Sequence, residues 1–255
     1  MAFYDLSKEE RLVLVEKINQ EIQNDLSSGK TENIIEYFSD EDTYIRKTGY
    51  LSIGRIFYDN PELQQHIFST LKNLLESDTD KVRQTVVNAA GEIGKFHFNK
   101  VQYFFDIGLF DKHHSVRNAV IGSVKKMGER NPVPVLAWAK TYLKHPDKEV
   151  RREICHGIEL RGRTHPQDIL PLLIKKYPSI KILIAGARPT ALVQSLASEN
   201  VTITGWVEDI RVAYASAKIF VAPLFLGSGL QNKILEAMAM SIPCVTTTLV
   251  NNAVK

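Results

Sequence analysis

Cysteine is scarce in this sequence: two in 255 residues, Cys155 and Cys244. They lie on either side of the change in texture described below, so no disulfide framework is expected, and a reducing cytoplasm is the expected compartment. Long apolar runs are missing as well, and no stretch reaches the roughly 18 residues that a membrane-spanning helix needs. The opening Met1-Ala-Phe-Tyr-Asp5 lacks the basic segment and apolar core of a secretory leader. The histidines His113, His114, His145, His156 and His165 show no metal-ligand spacing with the cysteines, and no metal site is expected. What is present is an ordinary soluble composition, 44% hydrophobic and 24% charged, with room for one large or two modest domains. The net charge of +3 conceals a gradient: −8 over residues 1–80, +7 over 81–170 and +4 over 171–255. A basic middle fits either an anionic partner or solvated helix faces.

The strongest pattern is an internal repeat. A β-branched residue followed by arginine recurs as Ile45-Arg46, Val82-Arg83, Val116-Arg117 and Val150-Arg151, at spacings of 37, 34 and 34. Gly94, Gly128 and Gly162 each lie eleven residues after their arginine, and Pro61, Pro132 and Pro166 each lie fifteen after theirs. Such a period means one supersecondary unit stacked several times. Each unit reads as two helices. In Asp80–Lys95, Val82, Val86, Ala89, Ala90 and Ile93 fit a 3.6 period. The glycine is expected to end or bend that helix, and proline to open the next, where its missing N–H costs nothing. The second helices then read as Pro61–Glu76, Asn99–Phe110, Pro132–Leu143 and Pro166–Tyr177, and Ser7 with Glu10 reads as a capping box for the first helix of the chain.

The Asp-x-x-Val-Arg stretch with its following glycine resembles HEAT repeats, over roughly residues 40–175. The stretch from Glu149 to Pro166 is similar, within that class, to the HEAT-like DNA alkylation repair proteins and alkylpurine glycosylases. The resemblance implies an α-solenoid of HEAT/ARM-like helical repeats that presents a long surface to a protein or nucleic acid. The recurring arginines carry two readings. Each pairs with an acid of a neighbouring repeat, such as Asp42, Asp80 or Asp147, or together they form a cationic stripe for phosphates. Under the second reading the anion-binding candidates are Arg83, Arg117, Arg151, Arg152, Arg161 and Arg163, with a DNA-alkylation-repair type of nucleic-acid binding as the alternative function. The glycosylases use an aspartate with aromatic side chains. Here Asp106, Asp111, Asp147 and Trp138 are of the right types, but none aligns with a catalytic position, and Trp138 in Val135-Leu-Ala-Trp-Ala reads as a packed helix face.

After Tyr177 the texture changes. Instead of a fifth Val-Arg pair the chain reads Ile180-Lys-Ile-Leu-Ile-Ala-Gly186, a short β-branched run ending in glycine. Strands at 180–185, 201–204, 218–222 and 243–247 alternate with helices at 190–198, 208–217 and 230–240, the pattern of βαβ units and a parallel sheet. Four blocks in order carry a second resemblance: Ile184-Ala-Gly-Ala-Arg-Pro189, Thr204-Gly-Trp-Val-Glu-Asp209, Phe220-Val-Ala-Pro-Leu224 and the loop and helix from Gly227 to Thr247. Together they are similar to the donor-binding half of GT-B glycosyltransferases of the group 1 or family 4 type. The expected fold class is therefore multidomain: a helical solenoid at 1–177, then a partial Rossmann-like α/β domain at 178–255.

The residues state what chemistry that second part offers. Gly227, Ser228 and Gly229 let backbone N–H groups approach an anion at the positive end of helix 230–240, as suits the diphosphate of a nucleotide-sugar donor. Lys233 is one turn on and could reach a phosphate. The family resemblance implies that Glu236 accepts hydrogen bonds from the donor ribose, whose vicinal diol suits an acceptor-only carboxylate. The plainer alternatives are a tight strand–helix turn for the glycines and a solvated position for Lys233. The family's frequent second glutamate is replaced by Ser228. A GT-B enzyme closes its reaction between two Rossmann halves, whereas here helical repeats precede the donor half. The expectation is a chimeric or truncated protein that binds a nucleotide-sugar without turning it over alone, with no further cofactor and no assigned catalytic residue. Apolar surface and a bare sheet edge would make the second part prone to aggregation. The helix Asp168–Tyr177 fits both parents.

Overall fold

The computed structural model describes residues 3–222 and 232–246, and the chain divides into two compact units, 1–172 and 173–255. The first is built from α1 (Lys8–Ser28), α2 (Glu32–Ser39), α3 (Thr43–Asp59), α4 (Gln64–Leu75), α5 (Asp80–Gly108), α6 (His114–Arg130), α7 (Pro132–Tyr142), α8 (Lys148–Thr164) and α9 (Pro166–Lys176). The division falls within α9. A single apolar cluster runs from Ile18 in α1 to Ile158 in α8, with Phe38, Phe57, Phe98, Phe104 and Phe105 among its largest fully buried members. Ser7 and Glu10 form both bonds of the capping box on α1, and Gly29, with φ of 70°, closes its far end.

The helix breaks do not fall on the glycines. α6 and α8 continue past Gly128 and Gly162 and end two residues before a helix-opening proline. The residue at the break takes nearly the same backbone each time: Asn60 (φ −129°, ψ 82°), Asn131 (φ −139°, ψ 65°) and His165 (φ −139°, ψ 68°). A residue before proline is pushed out of the helical region by the proline ring, so proline rather than glycine sets the end. Each of these residues lies fourteen after its arginine. His97 is the fourth in that register and is followed by Phe98, yet it takes φ −128° and ψ 50° and breaks α5 in two. Carbonyls at this bend accept from side chains of the neighbouring repeats instead: Ile93 from the Tyr58 hydroxyl (2.7 Å) and Phe96 from Asn131 Nδ2 (3.5 Å).

Of the recurring glycines Gly94 serves close approach, as does its neighbour Gly91, whereas Gly128 has open space at its Cβ position. A Cβ on Gly94 would stand 2.3 Å from Met127 Sδ, and one on Gly91 would stand 2.4 Å from Ser123 Oγ. α5 and α6 therefore touch through glycine positions, and one methyl group is too large for the gap.

The recurring arginine has one constant task. Arg83 Nη1 donates to the carbonyls of Ser77 (2.7 Å) and Asp78 (3.0 Å), Arg117 Nη1 to those of Asp111 (2.8 Å) and Lys112 (3.3 Å), and Arg151 Nη1 to those of His145 (2.6 Å) and Pro146 (2.7 Å). Arg46 Nη1 does the same with Asp40 and Glu41. The acceptors are always six and five residues back, in the turn before the arginine's own helix, where carbonyls lie outside any helical ladder and need a donor. The acids expected as partners do other work. Asp42 and Asp147 are N-caps that accept from Tyr44 N–H (2.7 Å) and Glu149 N–H (2.8 Å), and Asp80 lies near His113, 3.2 Å from its Nδ1. The ties between repeats come from further away. Arg83 grips Asp111 through Nε (2.7 Å) and Nη2 (3.0 Å), and Arg117 Nε reaches Glu153 at 3.3 Å.

The second unit carries β1 (Ile182–Ala185), α10 (Ala191–Gln194), β2 (Val201–Gly205), α11 (Ile210–Ala215), β3 (Phe220–Ala222), α12 (Asn232–Ala239) and β4 (Cys244–Thr246). β1 pairs with β2 in parallel, Ile182 opposite Val201, and β3 pairs with β4 in parallel, Phe220 opposite Cys244. Among the described residues these remain two separate ladders rather than one sheet, and the helices between them are shorter than the sequence suggests. Tyr214, Ala237 and Ile242 form one small core, and Ala222 with Ile234 another. The central residues of β3 and β4, Val221 and Val245, are more than half exposed. No helix among the described residues is long and apolar enough to cross a membrane.

Two outcomes follow from the stacking. Gly91→Ala should destabilise the helical unit by about 1–3 kcal/mol through overpacking, and Ser123→Gly should restore most of the loss, as read by thermal denaturation of the single and double variants. Arg83→Met should cost roughly 3 kcal/mol, because it leaves the buried Asp111 carboxylate without its cation. Burial by itself raises the Asp111 carboxyl, but the Arg83 hydrogen bonds, the His113 N–H and the Arg83 charge outweigh it and hold it below the ordinary value. The pair's contribution is therefore full above the unfolded carboxyl value near about 3.9 and is lost as pH falls through the lowered one. The variant's stability should depend less steeply on pH in that acid range.

Candidate functional site

In the second unit the geometry centres on α12. Ile234 and Ala237 turn inward, while Lys233 and Glu236, three residues apart, occupy its exposed side. Glu236 does not stand alone: the hydroxyl of Tyr214, from α11, donates to its Oε2 at 3.0 Å. Tyr214 is buried under the same small core, with Phe220 edge-on against its ring. Burial first, and then the bond to Glu236, push the phenol above its ordinary value. It therefore remains a proton donor, and it orients the carboxylate without cancelling its charge. Asp209 caps α11 by accepting from Arg211 N–H and also binds the Arg211 side chain, a local pair at the surface. Gly227, Ser228 and Gly229 lie outside the described residues. An open cleft of about 770 Å³, bounded by Leu183, Thr204, Val207, Glu208 and Arg211, lies along β1, β2 and α11 and is not lined by Glu236.

Tyr214 was not among the sequence candidates. Its only signal was a tyrosine on the apolar side of a short helix, which by itself reads as core. The carboxylate it meets is twenty-two residues away, so only the packing of α11 against α12 brings the two together.

In the helical unit the anion-binding candidates are dispersed. The guanidiniums of Arg83 and Arg117 hold turn carbonyls and an acid of the next repeat, and Arg151 holds turn carbonyls. Arg161 pairs with Asp168 through Nε (2.8 Å) and Nη2 (2.6 Å). Arg152 is exposed and lies 2.8 Å from Glu149 one turn away. The side chain of Arg163 lies outside the described residues. Two further basic residues of this region also meet acids: Lys125 reaches Glu159 at 3.8 Å, and Lys126 reaches Glu92 at 3.9 Å. Of the three candidate acids, Asp111 belongs to the arginine ladder and Asp147 caps α8. Asp106 alone meets aromatic side chains, accepting from Trp138 Nε1 (2.6 Å) and from the Tyr142 hydroxyl (2.8 Å). Trp138 is buried, and its ring packs against Phe98, Phe105 and Tyr142.

Comparison with known proteins divides along the chain. Residues 166–255 match the family model described as Glycosyl transferases group 1, beginning at the first residue of α9. None of the curated proteins matches. Among solved structures, the chain is similar to a designed armadillo repeat protein in complex with the peptide (KR)4, at 17% identity and a TM-score of 0.30, covering 76% of this chain and 92% of that one. A second similarity is to a computationally designed armadillo repeat protein for modular peptide recognition, at 18% identity and a TM-score of 0.27, covering 66% of this chain and 86% of that one. The chain is thus a helical-repeat unit followed by a segment similar to group 1 glycosyltransferases.

Proposed function

We propose that residues 1–177 act as a binding scaffold and that residues 178–255 hold a nucleotide-sugar site, with this chain alone binding the donor rather than transferring from it. The observation that carries the reading is the Tyr214–Glu236 hydrogen bond within a segment that matches a glycosyltransferase family. A carboxylate has room for several donors, so the phenol leaves Glu236 capacity to accept from ribose hydroxyls. In the sequence Gly227, Ser228 and Gly229 come shortly before Lys233, a composition that suits a diphosphate through accessible backbone N–H groups and a cation. For the scaffold, a protein partner fits better than a phosphate backbone, because the repeat arginines already hold turn carbonyls and acids. Salt-dependent retention on DNA, lost on neutralising Arg151, Arg152, Arg161 and Arg163, is the result that would reverse that preference.

Calorimetric titration with UDP- and GDP-sugars tests the donor site. One of the two series should bind, and Glu236→Ala should weaken it tenfold or more, since a hydrogen bond to a charged group contributes about 1.5–3 kcal/mol. Tyr214→Phe should weaken it less, by about threefold to tenfold, because the carboxylate stays but loses its orientation. Absence of heat at millimolar ligand, or equal binding by Glu236→Ala, would remove the assignment.

A further inference from the structure

The repeats settle their charges by pairing between neighbours, and Asp106 departs from that rule. It sits on the second half of α5, facing α7 across a groove of about 580 Å³ whose lining includes Gln102, Pro134, Ala137 and Thr141. Among the described residues no lysine or arginine is paired with it. Its partners are neutral: the Trp138 indole and the Tyr142 hydroxyl on Oδ1, and Gln102 Nε2 on Oδ2 at a longer 3.2 Å. Burial, and then the bond to Asp106, push the Tyr142 phenol up to about 12. It therefore stays a donor at neutral pH and brings no countercharge to Asp106.

The groove's one formal charge is the Asp106 carboxylate. The Thr141 hydroxyl hydrogen and one hydrogen of Gln102 Nε2 already have acceptors, the Trp138 carbonyl and Asp106 Oδ2. Left over are the Gln102 amide oxygen, the Thr141 oxygen and lone-pair capacity on Asp106 Oδ2, together with the Asn99 amide, which can both donate and accept. An occupant must bring several donors and a positive charge, and a phosphate backbone would meet an unneutralised carboxylate. Pro134 and Ala137 offer an apolar wall for an alkyl stem. Asp106 also lies within an exposed stripe on α5 and its end, Tyr103, Ile107 and Phe110, at intervals of four and three residues. Exposed apolar area flanking a polar slot marks an interaction surface.

We propose that this groove receives an arginine side chain presented by a protein partner, its guanidinium on Asp106 and its stem along Pro134 and Ala137. A planar fork of five donors matches spread acceptors better than a compact ammonium does, and apolar residues beside that arginine cover Tyr103, Ile107 and Phe110.

The chain holds two tryptophans, Trp138 and Trp206, so its indole N–H region gives two nitrogen–proton resonances, assigned with a Trp206→Phe variant. Titration with acetyl-Leu-Arg-Leu-amide should shift the Trp138 resonance to saturation. The citrulline counterpart, which has the same shape without the charge, should bind at least tenfold more weakly, and the lysine counterpart should lie between them. Asp106→Asn keeps an acceptor for Trp138 and Tyr142, so it should melt within a few degrees of the parent while losing tenfold or more in arginine-peptide affinity. The proposal fails if the citrulline peptide binds as well as the arginine one, if the lysine peptide binds as well, or if no peptide moves the resonance at millimolar concentration. It also fails if a single-stranded oligonucleotide moves the resonance where the arginine peptide does not.

Discussion

A turn between two helices leaves carbonyl oxygens that no backbone ladder reaches, and in every repeat of this protein one guanidinium from the next helix takes two of them. The helix must then start at a fixed distance from the turn, because the side chain reaches six and five residues back and no further. Once Nη1 is committed in this way, the rest of the fork of Arg83 and Arg117 is directed across the stack. Arg83 spans to Asp111, whose own carbonyl is held by Arg117, whose Nε goes on to Glu153. Local turn closure and stacking of neighbours are thereby one continuous set of hydrogen bonds. Truncating one member would leave buried acceptors unsatisfied on both sides of a repeat boundary.

The period of this arrangement was legible in the sequence because its parts are tied at fixed covalent offsets: arginine, then the break fourteen residues on, then proline. Its partners were not. Asp42 and Asp147 have the right charge and spacing to pair with the arginines, but an aspartate at a helix N-terminus is drawn to the backbone N–H groups beside it. Asp111 and Glu153 carried no periodic mark, and only the stack brings them within reach. The glycines misled for a related reason. Gly94, eleven residues after its arginine, suits a helix end by type, yet Met127 in the next repeat is what requires the missing side chain. His97 is the sharpest case, since it bends with no proline after it. The proline signal is present at Asn60, Asn131 and His165, and His97 bends without it, where Tyr58 and Asn131 supply donors to the Ile93 and Phe96 carbonyls.

In the second unit the order of strands and helices was readable from alternating texture, and each strand has the partner next in sequence. What the texture could not give was extent. The helices are short, and the paired strands form two ladders among the described residues rather than one sheet. Glu236 was identifiable because an acid interrupts an apolar helix. Tyr214 was not, because a tyrosine on an apolar face has a plainer explanation until its hydroxyl is located.

Asp106 and Glu236 belong to different units, yet they are held in the same manner. Several carboxylates elsewhere meet a cation: Asp111 with Arg83, Glu153 with Arg117, Glu92 with Lys95 and Lys126; the buried Asp25 instead spends its oxygens on the backbone N–H groups of Asn33 and Ile34 and on the Asn33 amide. Ion pairing cancels the field that a ligand could use. A phenol or an indole fixes the position of a carboxylate just as firmly, through a short hydrogen bond to a charged acceptor, but brings no countercharge. The group is left oriented, without a countercharge and still able to accept. A cation beside either acid would add local stability and weaken its attraction for a donor-rich ligand, so the neutral partner separates these two carboxylates from the ion-paired ones.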